Sequence, residues 1–245
     1  MMTTLFVSDL HLCNARPDKL ELFLEFLAQA PRRARALYIL GDLFEVWLGD
    51  DDDTPPHPQV IAALAALTAA GVALAVSRGN RDFLFGRRFA QATGATLLPD
   101  YAVLDLDGER ALVTHGDLLC TRDVKYQRFR RVVRNPLIRS AFLALPLATR
   151  ARIARRTQAG TQASMQSKRE DLMDVDQDTV CAVMQAHDVT LLIHGHTHRP
   201  AEHRFQRGQA SCRRIVLGDW YEQDSVLVCD AHGQHARPVA AWLAT

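Results

Sequence analysis

Five short polar clusters, each following a run of apolar residues, constrain this chain more than any other feature. They read Asp9-Leu10-His11, Gly41-Asp42, Gly79-Asn80-Arg81-Asp82, His115-Gly116-Asp117 and His194-Gly195-His196-Thr197-His198. Carboxylates, imidazoles and an amide oxygen are the ligand types that hold hard or borderline divalent cations. Short apolar runs that stop at such residues read as buried strands. A fold that brings the ends of those strands together builds a two-metal centre. The chemistry such a centre predicts is hydrolysis of a phosphate ester.

The spacing supports convergence. Asp9 and His11 are two residues apart, so on extended backbone both side chains face the same way. His196 and His198 repeat that spacing. Asp42 and Asn80 each follow a glycine, which suits a sharp turn with close backbone approach. Two cations about 3.5–4 Å apart repel one another and need a bridging carboxylate, for which Asp42 is the natural choice. Asn80 adds a neutral oxygen and limits the anionic charge. Singly, each cluster is an ordinary turn; the argument rests on all five in one chain.

The 245 residues suffice for one large α/β domain or two small ones. The five cysteines are widely spaced, with no Cys-x-x-Cys pair, which argues against a disulfide framework or zinc-thiolate site and for a reducing compartment. The N-terminus reads as a first strand, not a signal peptide. Thr54–Ser77 carries no charged residue and has the length of a membrane span. Pro55, Pro56 and Pro58 open it and Gly71 divides it, so it reads as a helix over 57–70 followed by a buried strand over 72–77. Strand and helix alternate through the first half: strands at 5–8 and 36–40, helices at 18–29 and 83–93. A hairpin joins 101–106 to 110–114 through Asp107-Gly108. After a strandless stretch come a helix over 176–187 and strands at 190–193, 211–217, 225–229 and 236–240. The economical organisation is a single α/β domain over 1–245 with a helical insertion at 122–174.

The order Asp-x-His, Gly-Asp, Gly-Asn, His, Gly-His-x-His resembles the calcineurin-like metallophosphoesterase superfamily. The resemblance implies a two-sheet β sandwich flanked by helices. One position departs from the pattern, since Arg81 stands where the superfamily has a histidine. A guanidinium is a poor general acid but binds phosphate oxygens well. Arg81 therefore points to a leaving group that departs without a proton, as a phosphate does from a diphosphate. Longer stretches, Gly41–Asp51, Gly79–Gly86, His194–Pro200 and Gly218–Tyr221, look like the UDP-2,3-diacylglucosamine diphosphatase family of Gram-negative bacteria, over nearly the whole chain.

That resemblance implies hydrolysis of UDP-2,3-diacylglucosamine to 2,3-diacylglucosamine 1-phosphate and UMP, in lipid A biosynthesis, by metal-activated water attack on the α-phosphorus. It implies two Mn²⁺, with Mg²⁺ not separable on ligand type. Asp9, His11, Asp42 and His198 would hold one ion, and Asp42, Asn80, His115 and His196 the other. Asn80, Arg81 and His196 would be catalytic. Asn80, Arg81, Asp123, Thr161, Met165, Lys168 and His196 would meet the substrate, although Met165 has no donor to replace the family's asparagine. The implied location is the cytoplasmic face of the bacterial inner membrane, as a peripheral protein without an obligate protein partner.

Between Arg122 and Arg156 stand eleven Lys or Arg and one acid, Asp123. Apolar residues are interleaved, most densely over 137–147. A basic amphipathic segment suits an anionic membrane surface and an amphiphilic nucleotide-sugar lipid, so the insertion reads as a lid for acyl chains. Nucleic acid is disfavoured, because few aromatics and no recognition motif accompany the charge. Asp82 and Asp117 read as partners that orient the ligands, and Asp50–Asp53 as a solvated acidic loop. The alternatives are another two-metal phosphodiesterase, disfavoured by Arg81 and the apolar insertion, and an inactive scaffold, which would have lost ligands.

Overall fold

The computed structural model describes residues 2–165 and 174–244, with side chains described for all of these except 158–165. Two mixed sheets face each other. The first is built from β1 (Thr3–Val7), β2 (Ala34–Ile39), β3 (Ala73–Val76), β4 (Thr96–Leu97), β10 (Ser225–Asp230) and β11 (Gly233–Pro238), in the order β11-β10-β1-β2-β3-β4. The second holds β5 (Ala102–Leu106), β6 (Glu109–Thr114), β7 (Leu191–His194), β8 (Ala201–Arg207) and β9 (Ala210–Val216), in the order β5-β6-β7-β9-β8. β1 to β4 run parallel, as do β6, β7 and β9; the outer strands β10, β11, β5 and β8 pair antiparallel.

Period-two alternation explains how the layers stack. Leu5 and Val7 of β1 pack with Phe23 and Phe26 of α1 (Pro17–Gln29) and Val60 and Leu64 of α2 (His57–Ala69). Phe6 points the other way and joins Ala111, Val113, Leu191 and Ile193 between the sheets. Leu112 and Leu192 face outward again, onto Val180 and Met184 of α7 (Gln177–Ala186). Helix, sheet, sheet and helix therefore share three apolar layers, and the parallel strands in the middle are covered on both faces.

The remaining helices are α3 (Arg87–Thr93), α4 (Val124–Val133), α5 (Pro136–Leu143), α6 (Leu147–Met165) and α8 (Val239–Leu243). Thr54–Ser77 is α2 and β3, and among the described residues no helix is long and apolar enough to cross a membrane. The hairpin turns at Asp107 (φ 55°) and Gly108 (φ 96°), the left-handed pair its sequence called for.

Four expectations need correction. The helix expected over 83–93 begins only at Arg87, because Asp50 accepts from the backbone N–H groups of Gly86, Arg88 and Phe89 and sets its start there. The last strand ends at Pro238, and 239–243 is helical. β8 went unforeseen because Glu202, His203 and Arg204 are exposed and give no apolar alternation. The acidic loop is not simply solvated: Asp52 is buried and accepts from Leu48 N and Thr54 N, and Asp51 is ion-paired to Arg150.

Candidate metal centre and its cavity

The clusters meet at the carboxyl ends of the parallel strands of both sheets. Asp9 and His11 follow β1, Asp42 follows β2, Asn80 follows β3, His115 follows β6, and His196 and His198 follow β7. Backbone hydrogen bonds lace these ends together, Asp9 N to Gly41 O at 3.1 Å, His11 N to Asp42 O at 2.9 Å and Gly195 N to His115 O at 2.9 Å. Five of these seven residues are left-handed: Asp9 (φ 56°), His11 (49°), Asp42 (52°), His196 (70°) and His198 (55°). Such backbone costs about 1–3 kcal/mol per residue and concentrates at functional sites. Close approach needs glycine nearby. A Cβ on Gly79 would overlap Asp42 Oδ1, and one on Gly195 would overlap Ser8 Oγ and Asp9 Oδ2.

Two groups of ligand-type atoms result, Asp9 with His11 and His198, and Asp9 with Asp42 and His115. His198 Nε2 lies 3.3 Å from Asp9 Oδ1, and His11 Nε2 lies 3.8 Å from Asp42 Oδ2. His115 Nε2 is 3.0 Å from Asn80 Oδ1, 3.2 Å from His196 Nδ1 and 3.8 Å from Asp42 Oδ1. Asp9 Oδ1 and His11 Nε2 are buried without any hydrogen-bond partner. Unpartnered buried polar atoms on converging Asp and His side chains are what a cation site requires. The donor set fits a pair of hard or borderline divalent ions.

The surrounding groups fix the rings. His115 Nδ1 donates to Leu40 O at 2.9 Å, which turns its Nε2 lone pair toward the centre. His11 Nδ1 bonds Glu45 Oε2 at 3.0 Å, and His198 Nδ1 lies 3.4 Å from Asp219 Oδ2. Asp82 acts on backbone, not on ligand side chains: it accepts from Asp42 N, Leu43 N and Gly79 N and so ties two turns together. Asp117 takes Tyr126 Oη at 2.7 Å and Arg130 Nε at 2.6 Å, which anchors α4. Asp219 also accepts from Tyr221 N and Glu222 N, so it makes the expected turn and reaches His198 as well.

The electrostatics favour positive charge. Burial opposes ionisation of Asp9, but the adjacent imidazoles of His198, His115 and His11 hold its carboxyl far below the usual range. Burial likewise opposes a charged His11, yet Glu45, Asp42 and Asp9 raise it to about 9. His196 goes the other way, pushed down to about 4 by burial and by His115. Burial and the Asp42 charge push Asp82 up to about 7.

A cavity of about 630 Å³ opens from this cluster. His11, Asp42, Asn80, Arg81 and His196 line it, and so do Trp47, Phe83, Phe129, Ile138, Phe142 and Ile153. Arg81 sits half-buried with its guanidinium 3.2 Å from Glu45 Oε1, and its backbone N–H donates to Asp42 Oδ1 at 2.8 Å. Asp123 also lines the cavity and caps α4 by accepting from Tyr126 N at 3.0 Å. Thr161 and Met165 fall on α6, where side chains are not described, and Lys168 lies outside the described residues.

Sequence reasoning missed two partners of the ligands. Glu45 gave no local sign, because its partner His11 is 34 residues away. Asp219 did, since Gly218-Asp219 after β9 repeats the Gly41-Asp42 signature after β2.

Carboxylates and imidazoles at the ends of parallel strands in two facing sheets make a candidate divalent-cation site of the kind phosphoesterases use. The chain belongs to the calcineurin-like phosphoesterase family, whose model matches residues 2–200. Its fold is shared with an archaeal phosphodiesterase at a TM-score of 0.50 and 13% identity, covering 96% of this chain and 98% of the other. A hypothetical protein of Pyrococcus horikoshii OT3 gives a TM-score of 0.50 at 13% identity, covering 97% and 86%. In sequence the chain is 51% identical to the UDP-2,3-diacylglucosamine hydrolase of Aeromonas hydrophila, over 93% of this chain and 95% of that protein. The protein of the same name from Escherichia coli O7:K1 is 50% identical, over 92% and 94%.

Proposed function

We propose that this chain hydrolyses the diphosphate of UDP-2,3-diacylglucosamine, by water attack on the α-phosphorus, to give 2,3-diacylglucosamine 1-phosphate and UMP for lipid A. One observation carries the reading: a single cavity joins a cation-type ligand cluster to an apolar wall. An amphiphilic phosphoanhydride asks for both. The name and the 51% identity of the Aeromonas relative point the same way.

Asp9, His11, Asp42 and His198 would hold one divalent cation, and Asp42, Asn80, His115 and His196 the other, with Mn²⁺ the proposed ion ahead of Mg²⁺. A bound pair would activate water and stabilise charge developing on the phosphate. The chain's own residues do the positioning. Glu45 contacts both His11 and Arg81, so one carboxylate sets a ligand ring and a phosphate-binding guanidinium together. Arg81 neutralises diphosphate charge without giving up a proton, and the sugar 1-phosphate leaves unprotonated at the bond broken. Asp123, Thr161, Met165 and Lys168 are the proposed neighbours of the sugar and diphosphate.

Residues 122–174 act in this reading as a lid inserted in a single domain spanning 1–245. Its acyl-binding face closes over the cavity, and its basic, apolar exterior rests on the cytoplasmic side of the inner membrane. The direct test is incubation of UDP-2,3-diacylglucosamine with the protein and Mn²⁺ in ¹⁸O-water. Label in UMP is the expected result. Label only in the sugar phosphate refutes the point of attack, and absence of cleavage refutes the reaction.

A further inference from the structure

A second cavity, of about 330 Å³, shares Thr197, His198 and Arg199 with the large one and otherwise has walls of its own. None of its described lining comes from α4, α5 or α6. Its volume is at the lower end of the range for ligand pockets, roughly 300–1,000 Å³.

Arg214 of β9 lines this cavity and is only 6% exposed. His194 Nδ1 donates to Gly195 O at 2.8 Å, so its Nε2 is left as the acceptor for Arg214 Nη1 at 3.2 Å. Arg214 Nε has no partner, and Thr197 Oγ1, also in the lining, is buried without one. Asp174 acts on Arg214 through space and lies 3.7 Å from Arg199 Nη1. A guanidinium buried with unspent donors is costly unless a ligand brings acceptors.

We propose that this cavity receives the pyrimidine base of the substrate's nucleotide half, an inference that rests on the diphosphate reading above. The uracil edge offers two carbonyl acceptors flanking one N–H donor. Arg214 and Arg199 supply donors, and Asp174 supplies an acceptor. A second phosphate fits less well, because the Asp174 carboxylate repels it. The two cavities meet at His198, beside the cation cluster, so the halves of the substrate diverge from its diphosphate. The acyl chains take the apolar wall and the nucleoside takes the polar pocket.

The test measures binding of UMP, N3-methyl-UMP and inorganic phosphate to the full chain with Mn²⁺ present. Wild type binds UMP about tenfold or more tightly than the N3-methyl analogue, the scale of one hydrogen bond to a charged group. Asp174→Ala closes that gap, and Arg214→Met weakens UMP about tenfold or more, while phosphate affinity stays unchanged in both. Asp174 is 41% exposed, so its variant keeps the fold even where Arg214→Met does not. On UDP-2,3-diacylglucosamine both variants raise KM and leave kcat near wild type. Parallel loss of UMP and phosphate binding overturns the proposal in favour of a plain anion site. So does an N3-methyl penalty that persists in Asp174→Ala. Failure of wild type to cleave the lipid sinks the diphosphate reading, whereas UMP discrimination lost in Asp174→Ala still supports the base pocket.

Discussion

The cation cluster and the helices over it, α4 to α6, are built in opposite ways. The cluster is held by backbone. Its side chains sit on left-handed residues and against glycines that leave no room for a Cβ. The helices are held by long side chains. Arg130 reaches Asp117, Arg134 reaches Gly79 O at 2.9 Å and Asp100 at 3.1 Å, and Arg150 reaches Leu48 O at 2.6 Å and Asp51. Apolar exposure divides the same way. Eight of the eleven exposed large apolar side chains among the described residues lie between Val124 and Ile153. A cluster so fixed tolerates little displacement, whereas a cap on flexible struts can be altered without dismantling what lies beneath. The comparison makes four predictions, from the largest effect to the smallest.

Asp42→Asn strikes the cluster at its proposed bridge. Several kcal/mol of charge stabilisation go with it, so kcat falls by about 10³-fold or more. Circular dichroism stays native, and metal content measured on the purified variant drops. Activity near wild type with two metals still bound would remove Asp42 from that role.

Arg81→Lys keeps the charge but loses the planar fork that matches phosphate oxygens. Turnover falls by about 10–100-fold, since hydrogen bonds between charged groups contribute about 1.5–3 kcal/mol. Arg81→His does not restore diphosphate cleavage. A Lys variant as fast as wild type shows that charge alone suffices.

The cap responds differently. Ile138→Asp and Ile153→Asp each put a charge on the apolar wall while both sites stay partly exposed. KM for the diacyl substrate rises about tenfold, given about 0.8 kcal/mol per buried methylene. Metal content and cleavage of a chain-free nucleotide sugar do not change. If the chain-free substrate is already cleaved as efficiently as the diacyl one in wild type, the cap has no acyl role.

The smallest effect concerns the outer surface. Reversing Arg128, Arg131 and Arg155 to Glu weakens flotation with anionic vesicles, at about 1 kcal/mol or roughly fivefold per residue, and salt masks the difference. Arg150 stands apart from that set despite its place in the same basic run, because it is 1% exposed and bonded to Leu48 and Asp51. Arg150→Glu lowers Tm by several degrees, because it places a buried carboxylate against Leu48 O and Asp51. An Arg150 variant with unchanged Tm and weaker flotation would put it back among surface charges.

The sequence read well wherever a rule was local. Asp9, His11, His196 and His198 announced themselves by residue type at strand ends, although all four are left-handed and not on the extended backbone that their two-residue spacing suggested, and Asp107-Gly108 announced itself by turn chemistry. It read poorly wherever the partner was remote. Glu45 serves His11 across 34 residues, and Arg150 meets Asp51 across 99. Asp50 looked like part of a solvated run and instead sets the start of α3, 36 residues on.

The sequence by itself determined the candidate ligand types, the strand ends that carry them, the alternating faces of the layers and the basic, apolar character of the helical region. These follow from side-chain chemistry and from periods of two and 3.6 residues, which act over one turn or one strand. Only the tertiary structure decided that strand ends from two different sheets meet at one point. It alone decided which of the acidic and basic residues are buried struts, and that a second polar cavity opens beside His198. Those outcomes depend on which surfaces pack together, and packing joins residues whose separation along the chain carries no local signal.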